Sequence, residues 1–294
     1  MYAITGITGK VGGALARSLL ADGLPVRAVL RDEAKAAEWR ARGCDIALAG
    51  MDDAASLAAA FRGAAGVFIL PPSEFDPEPG FPEARRVIAA VTAALAEARP
   101  GKVVCLSTIG ADAPHENLLT PRAWMEQSLG RIGLAVTFLR PGWFMENALW
   151  DVPSARDEGL LHSFLQPANK AFPMVATQDV GRAAAALLRE DWTGTRVVEL
   201  EGTARVSPND LARAFATALQ RPVRVETVPR ERWEQIFRSQ GAQNPAPRIR
   251  MIDGFNEGWI AFGDPGRPAV VKGATTLDSV IAELVGASRA GAAA

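Results

Sequence analysis

The first strand-forming run of this chain leads straight into a glycine-spaced turn and out into a helix-forming stretch, Thr5-Gly6-Ile7-Thr8-Gly9-Lys10-Val11-Gly12-Gly13. The spacing is G-x-x-G-x-x-G rather than G-x-G-x-x-G, and its position decides its reading. Tyr2–Thr5 precedes it as a short β-rich run, and Val11–Ala21 follows as an apolar, Ala/Leu-rich helix pattern. A strand, tight turn and helix start in that order aim free backbone N–H groups and the positive end of the helix dipole at one point, the arrangement that holds a pyrophosphate. Gly6 makes the tight turn, Gly9 lets the backbone approach the phosphates, and Gly12 lets the helix pack on the strand. Lys10 and Val11 belong to the first helical turn, and Thr8 adds a hydroxyl. A mononucleotide P-loop does not fit, because no G-K-[ST] follows at the required spacing. The plain alternative is a Gly-rich turn between two elements.

The rest of the first half repeats this alternation. Strand runs are expected at Pro25–Leu30, Asp45–Leu48, Gly66–Leu70, Lys102–Leu106 and Ala135–Leu139. Helix patterns are expected near Glu33–Arg42, Ala54–Phe61, Pro82–Glu97 and Pro121–Ile132. Repeated βα units with right-handed crossovers give an α/β Rossmann fold, a doubly wound parallel sheet in the order 3-2-1-4-5-6. After Arg140 the pattern changes. An aromatic segment opens at Pro141, strands thin out, and an Ala-rich helix from Asp179 to Leu188 followed by the strand Arg196–Leu200 returns to the sheet. Ser207-Pro208 places a capping serine before a first-turn proline, launching a helix to Leu219. A strand at Val223–Thr227 and helices near Arg230–Ser239, Ile249–Phe262 and Leu277–Val285 complete the reading. The expected division is a dinucleotide-binding domain at 1–150, with 177–203 returning to it, and a smaller, discontinuous α+β substrate-facing domain at 151–176 and 204–294.

Composition narrows the function. The 294 residues carry 32 Lys and Arg against 33 Asp and Glu, a net charge of −1, with no basic block, which argues against direct nucleic-acid binding. No apolar run reaches the roughly 20 residues of a membrane span. Cys44 and Cys105 lie in apolar stretches without a second Cys or His at metal-ligand spacing, so they read as small buried hydrophobes in a reducing compartment and no metal is expected. With a strand starting directly at the N-terminus, a cytoplasmic location is the expectation. The small-residue tail from Gly286 to Ala294 is expected to fray.

Cofactor choice falls to the end of the second strand, Val29-Leu30-Arg31-Asp32, where an acid would bind an adenosine 2′-hydroxyl and an Arg a 2′-phosphate. Arg31 can pair with a phosphate and Lys35 adds charge one turn later, which favours NADP(H) over NAD(H). Asp32 is the contrary sign unless it caps the following helix. Asp52, Leu70 and Pro71, at the ends of the third and fourth strands, surround the adenine and ribose.

The opening T-G-x-T-G-x-V-G, the Val29-Leu30-Arg31-Asp32 segment and Phe138-Leu139-Arg140-Pro141-Gly142-Trp143-Phe144-Met145-Glu146-Asn147 together resemble the NmrA-like family, an atypical branch of the short-chain dehydrogenase/reductases. Asp179-Val180-Gly181 and Thr275-Thr276-Leu277 extend the likeness along most of the chain. The resemblance implies an NAD(P)-binding Rossmann domain, a smaller C-terminal domain and a cleft between them. The family contains NAD(P)H:quinone oxidoreductases, triphenylmethane reductases and nitrogen-repression regulators, so it implies either catalysis or sensing.

Short-chain dehydrogenases generally protonate a carbonyl with a Tyr whose pKa a Lys four residues later lowers, helped by a Ser after the fifth strand, because an unperturbed Tyr near pKa 10 is a poor proton donor at neutral pH. Ser107 and Thr108 stand where that Ser belongs. The dyad is missing. The family's Lys-Ala-x-x-Glu segment corresponds to Arg122-Ala123-Trp124-Met125-Glu126, four residues before it stands Leu118, and Tyr2 is the only tyrosine. Arg122 can bind the nicotinamide ribose or an acidic substrate group, or lie on the helix surface.

A quinone remains an acceptable hydride acceptor, since its reduced anion takes a proton from solvent and the site need supply only proximity and an apolar slot. Pro141, Trp143 and Phe144 stand beside the expected nicotinamide position. Trp143, Phe144, Met145 and Trp150 either line the slot or pack in the core. Asn147 holds an acceptor carbonyl or caps a turn, and His115 and His162 are either proton donors or surface residues. Phe255, Trp259 and Phe262, spaced to share a helix face, pack with Trp233 and Phe237 or form the far wall of the pocket. The reading is therefore an NADP(H)-dependent reductase passing hydride to a small, apolar, quinone-like acceptor without flavin or metal. The alternative is an NADP(H) sensor reporting redox state to a protein partner. A homodimer is compatible with either.

Overall fold

The computed structural model describes residues 1–262 and 270–292, the last four by backbone alone. Its first half alternates β1 (Tyr2–Thr5), α1 (Lys10–Ala21), β2 (Val26–Leu30), α2 (Ala36–Ala41), β3 (Asp45–Leu48), α3 (Ala54–Phe61), β4 (Gly66–Ile69), α4 (Pro82–Ala98), β5 (Val103–Leu106), α5 (Thr120–Leu129) and β6 (Val136–Pro141). Boundaries fall within a few residues of the sequence reading because Gly, Pro or Asp punctuates nearly every junction. Asp53, for example, caps α3 by accepting the N–H groups of Ala55 and Ser56. The stretch expected as a single helix at Glu33–Arg42 splits into a 3₁₀ turn, Glu33–Lys35, and the short α2.

Beyond β6 come β7 (Trp143–Phe144), a 3₁₀ segment Met145–Asp151, α6 (Val152–Asp157), β8 (Leu160–Ser163), β9 (Met174–Val175), α7 (Thr177–Arg189), β10 (Thr195–Glu201), α8 (Pro208–Leu219), β11 (Arg224–Thr227), α9 (Trp233–Ser239), α10 (Ala246–Glu257), β12 (Val271–Lys272) and α11 (Leu277–Ala292). The main sheet has eight strands in the order β12-β10-β6-β5-β4-β1-β2-β3, all parallel. It contains the expected 3-2-1-4-5-6 order, extended by β10 and β12. β12 comes from the segment assigned to the substrate side, so that segment also reaches the sheet. Two small parallel pairs, β11-β8 and β7-β9, lie outside it.

Strands buried on both faces need two apolar layers. On one face Leu15 and Leu19 of α1, Trp39 of α2, and Val180, Ala184 and Leu188 of α7 pack on Ile4, Phe68 and Val104. On the other, Leu57 and Phe61 of α3, Val91 and Leu95 of α4, and Met125 and Leu129 of α5 pack on Val67, Val103 and Phe138. A third core collects the later helices around Phe172, Phe215, Trp233, Phe237 and Phe255, and draws in Ile109 from the first half and Met145 and Ala148 from the 3₁₀ segment after β7.

Two short motifs act as fixings. A Cβ on Gly181 would stand 2.7 Å from the Val11 carbonyl and the Leu15 nitrogen, so the D-V-G glycine lets α7 touch α1. The Asp179 carboxylate accepts the N–H groups of Ala274 and Thr275, pinning the T-T-L segment to α7. Two expectations change. α10 ends at Glu257 because Gly258 turns left-handed with φ 96°, so Trp259 and Phe262 are not on that helix and share no face with Phe255. The expected fraying from Gly286 does not occur through Ala292, since α11 continues that far; residues 293 and 294 lie outside the described residues.

Candidate functional site

The glycine turn sits at the carboxyl edge of the sheet. Gly6 adopts φ 64°, open to glycine at little cost, and a side chain there would strike Leu70 at 3.0 Å. Leu70 is itself held by Thr5, whose Oγ1 accepts the Leu70 N–H at 2.8 Å and donates to the Phe68 carbonyl at 3.0 Å. Gly12 is tighter still. A Cβ there would lie 2.3 Å from the Gly6 carbonyl oxygen. Helix α1 starts after Gly9, which has no side chain to cap it, and carries no acid in its first turn. Its leading N–H groups are thus left for a ligand, and an anion is the chemistry that complements them. These features fit a dinucleotide pyrophosphate.

Beside this turn lies a cavity of about 450 Å³ lined by Ile7, Thr8, Gly9, Arg17, Ala34, Lys35, Glu38 and Trp39. Trp39 is buried and forms part of its apolar wall. Arg17 and Lys35 line it, and neither has a carboxylate partner among the described residues; the same holds for the exposed Arg31. Asp32 accepts the Ala34 N–H at 2.9 Å and caps the Glu33–Lys35 turn, so its carboxylate is used locally. Asp52 is exposed beyond β3. Pro71 is buried, and its carbonyl and that of Pro72 accept the Arg122 guanidinium at 3.2 and 3.1 Å. That half-buried cation is desolvated, which shifts its pKa downward.

The other end of the same sheet edge is built from a closed polar network. The Ser107 hydroxyl, 5% exposed at the end of β5, donates to Glu126 Oε1 from α5. Arg140, at the end of β6, grips the same carboxylate through Nε to Oε1 at 2.8 Å and an Nη to Oε2 at 2.6 Å. Its other Nη reaches Asp112 Oδ2 at 2.8 Å. The guanidinium is almost wholly enclosed, and its two carboxylates raise its pKa against the opposing effect of burial. Cys105, one residue before the end of β5, is buried and its thiol is pushed up to about 12 by desolvation, which keeps it inert.

The predicted reaction-end residues separate. Ser107 and half-buried Thr108 stand at the sheet edge, with Pro141 buried at the end of β6. Trp143 is half-buried, its ring edge-on to Phe255 at 5.2 Å, and Phe144 packs toward the α1–α7 face of the sheet. Met145 is enclosed in the third core. Asn147 is exposed, and Trp150 is 84% exposed. His115 is exposed, its ring edge-on to Trp259 with the centroids 5.1 Å apart, and His162 is exposed on β8, in the small sheet with β11. Tyr2 lies in β1, and Leu118 packs against the third core.

Sequence reasoning assigned no role to Arg17, Glu126, Asp112 or the Arg140 side chain. Arg140 carried a signal: a charge inside the apolar run Phe138-Leu139-Arg140-Pro141 requires a buried partner. It also missed a clasp, in which Asp76 accepts the N–H groups of Gln243 and Asn244 at 2.8 and 2.7 Å and ties the loop after β4 to the segment before α10. Among the described residues no group of His, Cys, Asp and Glu is arranged to hold a metal, and no helix is long and apolar enough to cross a membrane.

A parallel eight-stranded sheet with a glycine turn opening α1 defines a Rossmann-type dinucleotide-binding architecture. The sequence profile of the NmrA-like family matches residues 2–259, and the chain belongs to that family. It is 29% identical over 261 residues to an NAD(P)H azoreductase of Xenophilus azovorans, covering 87% of this chain and 85% of that one. It is 30% identical over 215 residues to quinone oxidoreductase 2 of Escherichia coli strain K12, covering 72% of each. The crystal structure of an NADPH-dependent quinone oxidoreductase from Escherichia coli, complexed with NADPH, superposes with a TM-score of 0.78 at 24% identity. That match covers 97% of this chain and 99% of the other, and is a likeness of fold.

Proposed function

We propose that this chain is an NADP(H)-dependent reductase that passes hydride to a small, apolar, quinone-like acceptor, without a Tyr–Lys dyad. The observation that carries the reading is the uncapped glycine turn beside a cavity lined by Arg17 and Lys35, cations without a carboxylate partner among the described residues. Membership of a family whose relatives here carry reductase names supports catalysis over sensing. When bound, the reduced nicotinamide supplies the hydride. The chain's part is to hold and orient. Gly6, Gly9, Gly12 and the amides of Lys10 and Val11 hold the pyrophosphate; Thr8, Arg31, Lys35 and Arg17 hold the 2′-phosphate; Asp52, Leu70 and Pro71 flank the adenosine. Arg122 braces the Pro71–Pro72 carbonyls at the ribose, and Ser107, Thr108, Pro141, Trp143 and Phe144 surround the reacting ring.

In this reading residues 1–150 with 177–203 bind the cofactor, and 151–176 with 204–294 close the acceptor side. Asn147, His115, Met145, Trp150 and His162 enter only if the acceptor side moves toward the sheet. The absence of a Tyr–Lys dyad leaves quinones and related unsaturated acceptors, whose reduced anions solvent can protonate. The test is Arg31→Ala. Its dissociation constant for NADPH should rise about tenfold, the equivalent of about 1.4 kcal/mol, with that for NADH nearly unchanged. An equal loss for the two cofactors removes the 2′-phosphate assignment.

A further inference from the structure

The Ser107 hydroxyl has one hydrogen to give, and the network takes it. Its Oγ lies against Glu126 Oε1, which also receives Arg140 Nε, while Oε2 receives the Arg140 Nη. Both carboxylate oxygens are therefore engaged as acceptors, and between a hydroxyl and such an oxygen only the hydroxyl can donate. Nothing else among the described residues bonds Ser107 Oγ, whose lone pairs are left as its sole remaining hydrogen-bonding capacity. The rotor is fixed from behind: Arg140 is only 6% exposed and is locked by Asp112 on its other side, so Glu126 has no freedom to turn away.

From this polarity we infer that Ser107 works as a hydrogen-bond acceptor, and that the reaction end selects ligands presenting an N–H or O–H donor to it rather than a carbonyl oxygen. Glu126 is the positioning residue that sets the polarity, and Arg140 anchors Glu126. The inference deepens the reductase reading and rests on it, since it takes the edge beside β5 as the acceptor site. It reverses the part a serine plays when it polarises a substrate carbonyl. A quinone oxygen gains nothing from Ser107, whereas the hydroxyl of its reduced product does, so the reduced form is the better held of the two.

The test uses two redox-inert ligands of one shape, 2-naphthol with an O–H donor and 2-methoxynaphthalene without it. Binding of NADP⁺ to the full chain is measured first by calorimetry, and the two ligands are then titrated into the loaded protein. The native protein should prefer 2-naphthol by roughly 3- to 10-fold, the worth of one neutral hydrogen bond. Ser107→Ala should abolish the preference and Ser107→Thr should restore it. Glu126→Gln, whose amide can donate to Ser107 and release the hydroxyl hydrogen, should shrink the preference or turn it toward 2-methoxynaphthalene. Failure of NADP⁺ to bind overturns the reductase reading and this inference with it. Loading by NADP⁺ followed by equal affinities, no binding of either ligand, or an unchanged preference in Ser107→Ala overturns this inference alone.

Discussion

The two ends of one sheet edge solve opposite problems. At Gly6–Gly12 the first-turn amides of α1 lack a side-chain cap, and Arg17, Arg31 and Lys35 stand without carboxylates among the described residues. At Ser107 the polar groups are joined: hydroxyl to Glu126, Glu126 to Arg140, Arg140 to Asp112. Partnerless donors cost stability and are retained where a ligand completes them, whereas a closed buried network fixes one geometry and one hydrogen-bond polarity. The open end is built to take charge, the closed end to hold an orientation.

Breaking the open end should have the largest effect. Gly12→Ala sets a methyl 2.3 Å from the Gly6 carbonyl, and backbone must move to relieve it. Displacing the helix start should weaken NADPH binding about 100-fold, about 3 kcal/mol, measured by calorimetry, while the fold survives with a lower Tm. Breaking the closed end should act on the fold instead. Glu126→Ala strips Arg140 of its bidentate partner and should lower unfolding free energy by about 3 kcal/mol in denaturant titration, with pyrophosphate binding far less affected. A variant that loses cofactor affinity in proportion to stability would erase the contrast between the ends.

The smallest effect concerns Asp151, at the end of the 3₁₀ segment after β7. Desolvation pushes its carboxyl up to about 7. The unfolded carboxyl releases its proton near pH 4, so between pH 4 and 7 the folded state binds the extra proton and stability falls as pH rises through that window. Asp151→Asn should therefore raise Tm at pH 8 and match the native protein at pH 3.5. An equal gain at both pH values would assign the effect to packing.

The first six strands were legible because each is a short apolar run closed by turn residues, and parallel pairing then left few topologies. The glycine turn was legible because its chemistry is local: nine consecutive residues contain the whole device. The Ser107 network was not, because its members are drawn from β5, the loop after it, α5 and β6, and only the fold brings them together. α10 was read too long because apolar spacing continued through Trp259 and Phe262, while Gly258 just before them turns the chain. The two-residue strands β7, β9 and β12 are too short for any periodic signal, and exist only through their neighbours.

The central claim is that the two ends together pass a hydride. The direct measurement is a single turnover of NADPH, with hydrogen or deuterium at the transferred position, against a panel of quinones, imines and enones. The account predicts acceptor-dependent NADPH oxidation that deuterium slows, with the label carried into the imine and enone products. NADPH that binds but is oxidised by no acceptor would contradict it and leave a protein that senses the cofactor without turning it over.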